Sequence, residues 1–372
     1  MKMRPWPLVI VWLLVSAGLA RVWLTADSVP DAVCGSLLGL LAVTVLSLAF
    51  GGVVWAAAGG DVTAVAVGVG PVMWVRFSPT GRSRQVHVAP VGVTVRGYGA
   101  RPGRHPRTPF RAAVAYWLVL GVAGAVTCAV TGSGLLFGVG AGALVLAVGQ
   151  FALTGPSAYL PAARSESEAR RRARLGPVVL AAQRRDRAEV IRLTADLPAV
   201  PAHWSDSMLL AFRVDAICVL SGATDAARLL RAALDGPPDA MTPVLRALLT
   251  TTLFQALVCG DVTPDQQVPV ADEIRARTTD PDSRVRSLPV EYVLAAQVGY
   301  LDGNWPVAIE RSVRATRVMP PGMRGDIYAL ASLACAAMGD AVSAARYLDD
   351  ARRDDPDAPL IRAAEARTAA TR

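Results

Sequence analysis

From Ala32 to Ala58, and again from Ala112 to Pro156, the chain contains no Asp, Glu, Lys, His or Asn. Runs this apolar and this long leave few options. A bilayer-spanning helix needs roughly 20 mostly apolar residues. The first run is long enough for one crossing and the second for two. Thr131-Gly132-Ser133-Gly134 divides the second into helices near 111–130 and 135–154. Pro7 to Leu24 supplies a fourth candidate, near 7–24, which is read as a retained anchor. Arg21 and Trp23 stand where a cleaved leader would want small residues.

Arginine placement orients these spans. Lys2 and Arg4 precede the first, and Thr25 to Asp31 carries only Asp27 and Asp31. The loop after the second span holds Arg76, Arg82, Arg84, Arg96, Arg101, Arg104 and Arg107, and Arg164, Arg170, Arg171, Arg172 and Arg174 follow the last. Short loops rich in Lys and Arg stay cytoplasmic. The expectation is a multi-pass protein of the cell membrane, both termini cytoplasmic, with the lipid bilayer as its first partner. The formal net charge of +8 is largely this pattern, so no nucleic-acid partner is inferred. The expected domains are a membrane domain 1–163 with a β-rich loop 61–109, a basic linker 164–176, and a helical domain 177–372.

The stretch Asp61 to Arg96 reads DVTAVAVGVGPVMWVRFSPTGRSRQVHVAPVGVTVR. It resembles the segment after the zinc-binding helix of site-2-type intramembrane metalloproteases. The matching residues are Gly59, Val62, Gly68, Gly70 and Pro71, then Pro90, Gly92, Val95 and Arg96. The family's spacing, counted back from Gly59, puts the two zinc-binding histidine positions at Ser47 and Gly51 and the glutamate position at Leu48. None of these can bind a metal or move a proton. The family's second motif falls near Gln150-Phe151-Ala152-Leu153-Thr154-Gly155-Pro156, which lacks the aspartate. The resemblance implies an inherited scaffold of about 150 residues without its zinc chemistry. In those proteases the sheet helps receive a substrate strand; here two readings stand, a purely structural cap at the membrane or a sheet that still binds an extended peptide by edge pairing.

The residues alone point the same way. A catalytic zinc needs three protein ligands and a nearby base. The apolar runs offer only Cys34 and Cys128. His87 lies in a strand-like run, His105 in the Pro- and Gly-rich basic loop 101–107, and His203 far along the soluble half. Cys34, Cys128, Cys218, Cys259 and Cys335 have no Cys-x-x-Cys spacing, which predicts buried free thiols. No cofactor is expected. Gly134, Gly138 and Gly142 stand four apart in an apolar run, a spacing that predicts close helix packing.

Beyond Arg164 the chain is charged and rich in Ala and Leu. Turn signals recur after helical runs at Arg185-Asp186-Arg187-Ala188, Ser221-Gly222, Cys259-Gly260-Asp261, Asp302-Gly303-Asn304 and Met338-Gly339-Asp340. Ala334, Ala344 and Ala351, followed by Asp355-Pro356, resemble a tetratricopeptide unit. About five hairpins would fill 177–355, with 358–369 as a capping helix. The third is broken by Pro264, Pro269, Pro281 and Pro289. Repeats of this period stack into solenoids. The fold class expected is therefore membrane-helical with a β insertion, plus a cytoplasmic all-α solenoid. The expected function is non-enzymatic: a catalytically inactive member of the protease family whose repeats bind a cytoplasmic or membrane protein partner. An active peptidase with non-standard zinc ligands and a simple membrane-anchored adaptor are the alternatives.

Overall fold

The computed structural model describes residues 29–58, 61–78, 80, 82–98, 107–131, 133–154, 166–280, 288–319 and 322–371. The candidate span 7–24 and Gly59, His105 and Gly132 lie outside these. The described chain is mostly helical, with one small sheet. It divides into two compact units, 1–78 with 82–176 and 79–81 with 177–372.

In the first unit, α1 (Val29–Ala58) leads into β1 (Asp61–Phe77) and β2 (Ser83–Tyr98), then α2 (Arg107–Val130) and α3 (Gly134–Thr154). Helix α3 packs on both other helices by glycine. A Cβ on Gly138 would strike the Ala32 carbonyl oxygen, and one on Gly142 the Ser36 oxygen. In return, α1 offers Gly35 to the Leu135 oxygen and Gly39 to the Val139 oxygen. Two residues along from Gly138, Gly140 faces α2, where a Cβ would lie 2.8 Å from the Gly124 oxygen. Three backbones are thus in near contact, which side chains larger than hydrogen forbid. Away from these seams Leu37, Leu41, Val45, Val119, Val122 and Val130 are exposed.

The two strands pair antiparallel, joined by a turn in which the Ser78 N–H reaches the Arg82 carbonyl (2.8 Å). Both are bent. Asp61 to Val67 pairs with Val93 to Tyr98, and Val72 to Phe77 with Ser83 to His87. Residues 64–67 also lie beside 83–86, so this segment has a partner on each side. The bend sits at Gly68, whose φ of +98° needs glycine, next to Pro71, which has no N–H to give the ladder.

Two described helices are long and apolar enough to cross a membrane: α1 over Val29–Gly51, and Thr242–Cys259 in the second unit. The second of these is a core helix and was not expected as a span. The described apolar stretches of α2 and α3, Ala115–Val130 and Gly134–Ala147, are shorter than the spans read from the sequence.

The basic stretch 164–176 is helical over its described part. From Glu166 it forms the first half of α4 (Glu166–Gln183), and the division between units falls inside that helix at Gly176/Pro177. Arginine is a good helix former, so a run of them does not break a helix.

The second unit continues with α5 (Arg187–Leu193), α6 (Trp204–Leu220), α7 (Ala223–Leu234), α8 (Thr242–Cys259), α9 (Pro264–Thr279), α10 (Leu288–Leu301), α11 (Trp305–Val318), α12 (Gly325–Ala337), α13 (Ala341–Asp354) and α14 (Leu360–Ala370). Consecutive helices pair as hairpins, and one core runs through them, from Leu210 and Leu230 through Phe254 and Leu330 to Ile361. Pro269 stands inside α9 and does not end it.

Candidate functional site

Ser47, Leu48 and Gly51, the positions that the resemblance sets against a zinc motif, fall in the second half of α1 and face different surroundings. Ser47 is buried; its hydroxyl donates to the Val43 carbonyl oxygen at 2.5 Å and lies 3.3 Å from the Tyr116 hydroxyl on α2. Tyr116 stacks on Phe50, ring centroids 4.1 Å apart, and meets Trp117 edge-on. Gly51 faces β2, where an added Cβ would lie 2.6 Å from Val95. Leu48 is 41% exposed. A zinc does not fit here: the hydroxyl at 47 is already bonded within its helix, the space beside Gly51 is filled by Val95, and Leu48 is exposed. No group of three His, Cys, Asp or Glu side chains is close enough to hold a metal among the described residues.

Gly68, Gly70 and Pro71 lie on β1, and Pro90, Gly92 and Arg96 on β2, where Arg96 sits opposite Ala64. Only Gly68 carries a positive φ among them. His87 is opposite Val72 in the sheet, and His203 precedes α6. The expectation of uniformly buried thiols is corrected: Cys218 and Cys335 are buried, whereas Cys34 and Cys259 are exposed.

Each of the four turn glycines joins a helix pair with positive φ: Gly222 (+106°), Gly260 (+80°), Gly303 (+71°) and Gly339 (+79°). Three of the turns share one further feature. The residue after the glycine is Asp261, Asn304 or Asp340, and its N–H returns to the carbonyl five residues back (Ala256, Gly299, Cys335) at 2.8–3.0 Å. The first hairpin repeats this with Arg185, at φ +61°, and the Asp186 N–H bonded to Ala181. This is a Schellman ending, in which a left-handed residue satisfies the helix's orphan carbonyls. Asp186 and Asp340 then cap the next helix through the N–H groups of Glu189 and Ser343.

Unread in the sequence is the way α14 packs back on α8 and α12. The Asp326 carboxylate holds its start, accepting the Leu360 N–H at 2.9 Å on Oδ1 and the Gln255 Nε2 at 2.7 Å on Oδ2. The Cys218 thiol donates to the other end of the same amide at 3.2 Å. Desolvation pushes the Asp326 carboxyl up to about 7, against the pull of its hydrogen bonds. Ahead of α14, Arg187 pairs with Asp357 at 2.7 Å. Between α14 and the ends of α6, α8 and α9 lies a groove of about 1290 Å³. Its walls include Leu220, Leu257, Val268, Tyr300 and Ala366. The only sequence signal for it was the final helical run after Asp355-Pro356.

Comparison with protein-family models, with curated proteins and with solved structures finds no match to this chain.

Proposed function

We propose that the chain is a membrane protein without peptidase activity, whose hairpin array binds a protein partner on the cytoplasmic side. The observation that carries this reading is the groove beside α14, an open concavity with Leu220 and Val268 more than half exposed in its wall. Solvent-exposed apolar side chains gathered in a concave site are the usual mark of a binding surface. The membrane assignment rests on the apolar run of α1, the exposed Leu and Val of α1 and α2, and the basic loops. The absence of peptidase activity rests on the residue types at 47, 48 and 51.

Photo-crosslinking in native membranes tests the binding role. A photoreactive phenylalanine analogue at Val268, in the groove, is expected to give a discrete adduct. The same analogue at Val342, exposed on α13 outside the groove, is expected to give none. Equal labelling at both positions, or no adduct from Val268, would overturn the reading. Metal content tests the other half: the purified full chain is expected to hold no stoichiometric zinc, and one tightly bound zinc per chain contradicts it.

A further inference from the structure

Five charged side chains line the groove, and three are committed elsewhere. Asp261 accepts the Ala223 N–H at 3.2 Å, Asp357 pairs with Arg187 at 2.7 Å, and Arg275 pairs with both Asp302 and Asp272 at 2.8 Å. Arg362 and Arg367, both exposed on α14, make no ion pair or side-chain hydrogen bond among the described residues. Burial raises the Cys259 thiol and the Tyr300 hydroxyl, and Arg362 and Arg367 respectively lie close enough to oppose that rise in part. Asp261 is hydrogen-bonded but not ion-paired, so two arginines stand against one carboxylate and the balance of the groove is positive, set among Leu220, Val268 and Ala366.

We propose that the groove takes an extended segment of a protein partner in which acidic residues alternate with apolar ones, the acids pairing with Arg362 and Arg367. This rests on the array being a partner-binding surface and adds the partner's chemistry. Five residues along a helix advance about 7.5 Å, and alternate residues of an extended chain about 6.7 Å. Acids at alternate positions therefore match the axial spacing of the two arginines, while the residues between them turn to the opposite side of the strand. Exposed ion pairs contribute only about 0.2–1 kcal/mol each. The arginines therefore select the sign of the partner, and the apolar wall holds it. A nucleic acid fits poorly, since its affinity comes from many phosphate contacts and, among the described residues, the groove offers only two arginines free of ion pairs.

The test uses the full chain in nanodiscs of neutral phosphatidylcholine and three fluorescein-labelled peptides, alternating leucine with glutamate, lysine or serine. Anisotropy is expected to show binding of the Leu-Glu peptide, weakened by added salt, and none of the Leu-Lys peptide. Arg362→Glu with Arg367→Glu is expected to weaken Leu-Glu binding by roughly tenfold, the loss of two exposed pairs, and to admit the Leu-Lys peptide. Far-UV circular dichroism checks that the double variant keeps its helices. Equal binding of the Leu-Glu and Leu-Lys peptides, no binding of the Leu-Glu peptide, or unchanged Leu-Glu binding in the double variant overturns the proposal. An adduct from Val268 together with any of these results discards the acidic chemistry and leaves the binding role standing; no adduct from Val268 removes the role itself.

Discussion

Asp326 is the residue on which the closure of the array turns. It joins three helices through two hydrogen bonds and a relay to Cys218. Its folded carboxyl keeps its proton to about 7 against an ordinary 3.8, mainly because burial disfavours the charge. A raised carboxyl means that the folded state binds more protons than the unfolded one between these values. Stability from this group is therefore greatest below about pH 4 and falls as pH rises through 7. Asp215, desolvated beside it, and Asp355 shift in the same direction. Thermal unfolding of the full chain in detergent should show a lower midpoint at pH 8 than at pH 5. Asp326→Asn keeps an acceptor for the Leu360 N–H and removes the charge. It should flatten that slope, and an unchanged slope would show that Asp326 is not its source.

At the scale of elements, two kinds of close packing hold the units, and each has its own test. In the first unit, Gly138 leaves no room for a Cβ against Ala32, whereas an added Cβ on Gly121 would meet its nearest neighbour at an ordinary 3.8 Å. Gly138→Ala should cost about 1–3 kcal/mol, as overpacking does, and Gly121→Ala should leave the melting midpoint in place. In the array, Ala344 is fully buried beside Cys335 and Ala336, and its carbonyl accepts the Ser332 hydroxyl at 2.8 Å. Ala344→Trp should lower the midpoint of the full chain. Asp350→Lys removes only a surface pair with Arg353 and should change it by less than about 1 kcal/mol. An Ala344→Trp variant as stable as the parent would mean that α12 and α13 do not meet at that residue.

These elements differ in how much of them the sequence disclosed. Gly222, Gly260, Gly303 and Gly339 were legible because a left-handed residue must be glycine or pay for a side chain there, so the turns stand out locally. The glycine contacts of α3 were legible from their spacing of four. Helix α4 was hidden because a run of arginines has the composition of a linker and the propensity of a helix. The groove was hidden for another reason. It depends on Asp326 meeting Leu360 and on α14 reaching α8, contacts between residues far apart in the chain that no local pattern encodes. The surroundings of Ser47 and Gly51, Tyr116 and Val95, were equally out of reach, although the residue types alone already ruled out metal ligation there.

For the whole molecule, the proposed arrangement is an apolar helical unit in the bilayer and a groove-bearing helical array on the cytoplasmic side. Apart from Arg21, basic residues flank the apolar runs on one side, and the turn around Ser133 has no charge. Impermeant maleimide labelling in sealed cells tests this most directly. Cys34 and Cys259, the exposed cysteines among the described residues, are first replaced by serine. Single cysteines are then placed at Ser133 and, in the groove, at Val268. Ser133→Cys should react from outside, and Val268→Cys only after the membrane is permeabilised. Labelling of Val268→Cys in intact cells, or protection of Ser133→Cys until permeabilisation, would contradict the account.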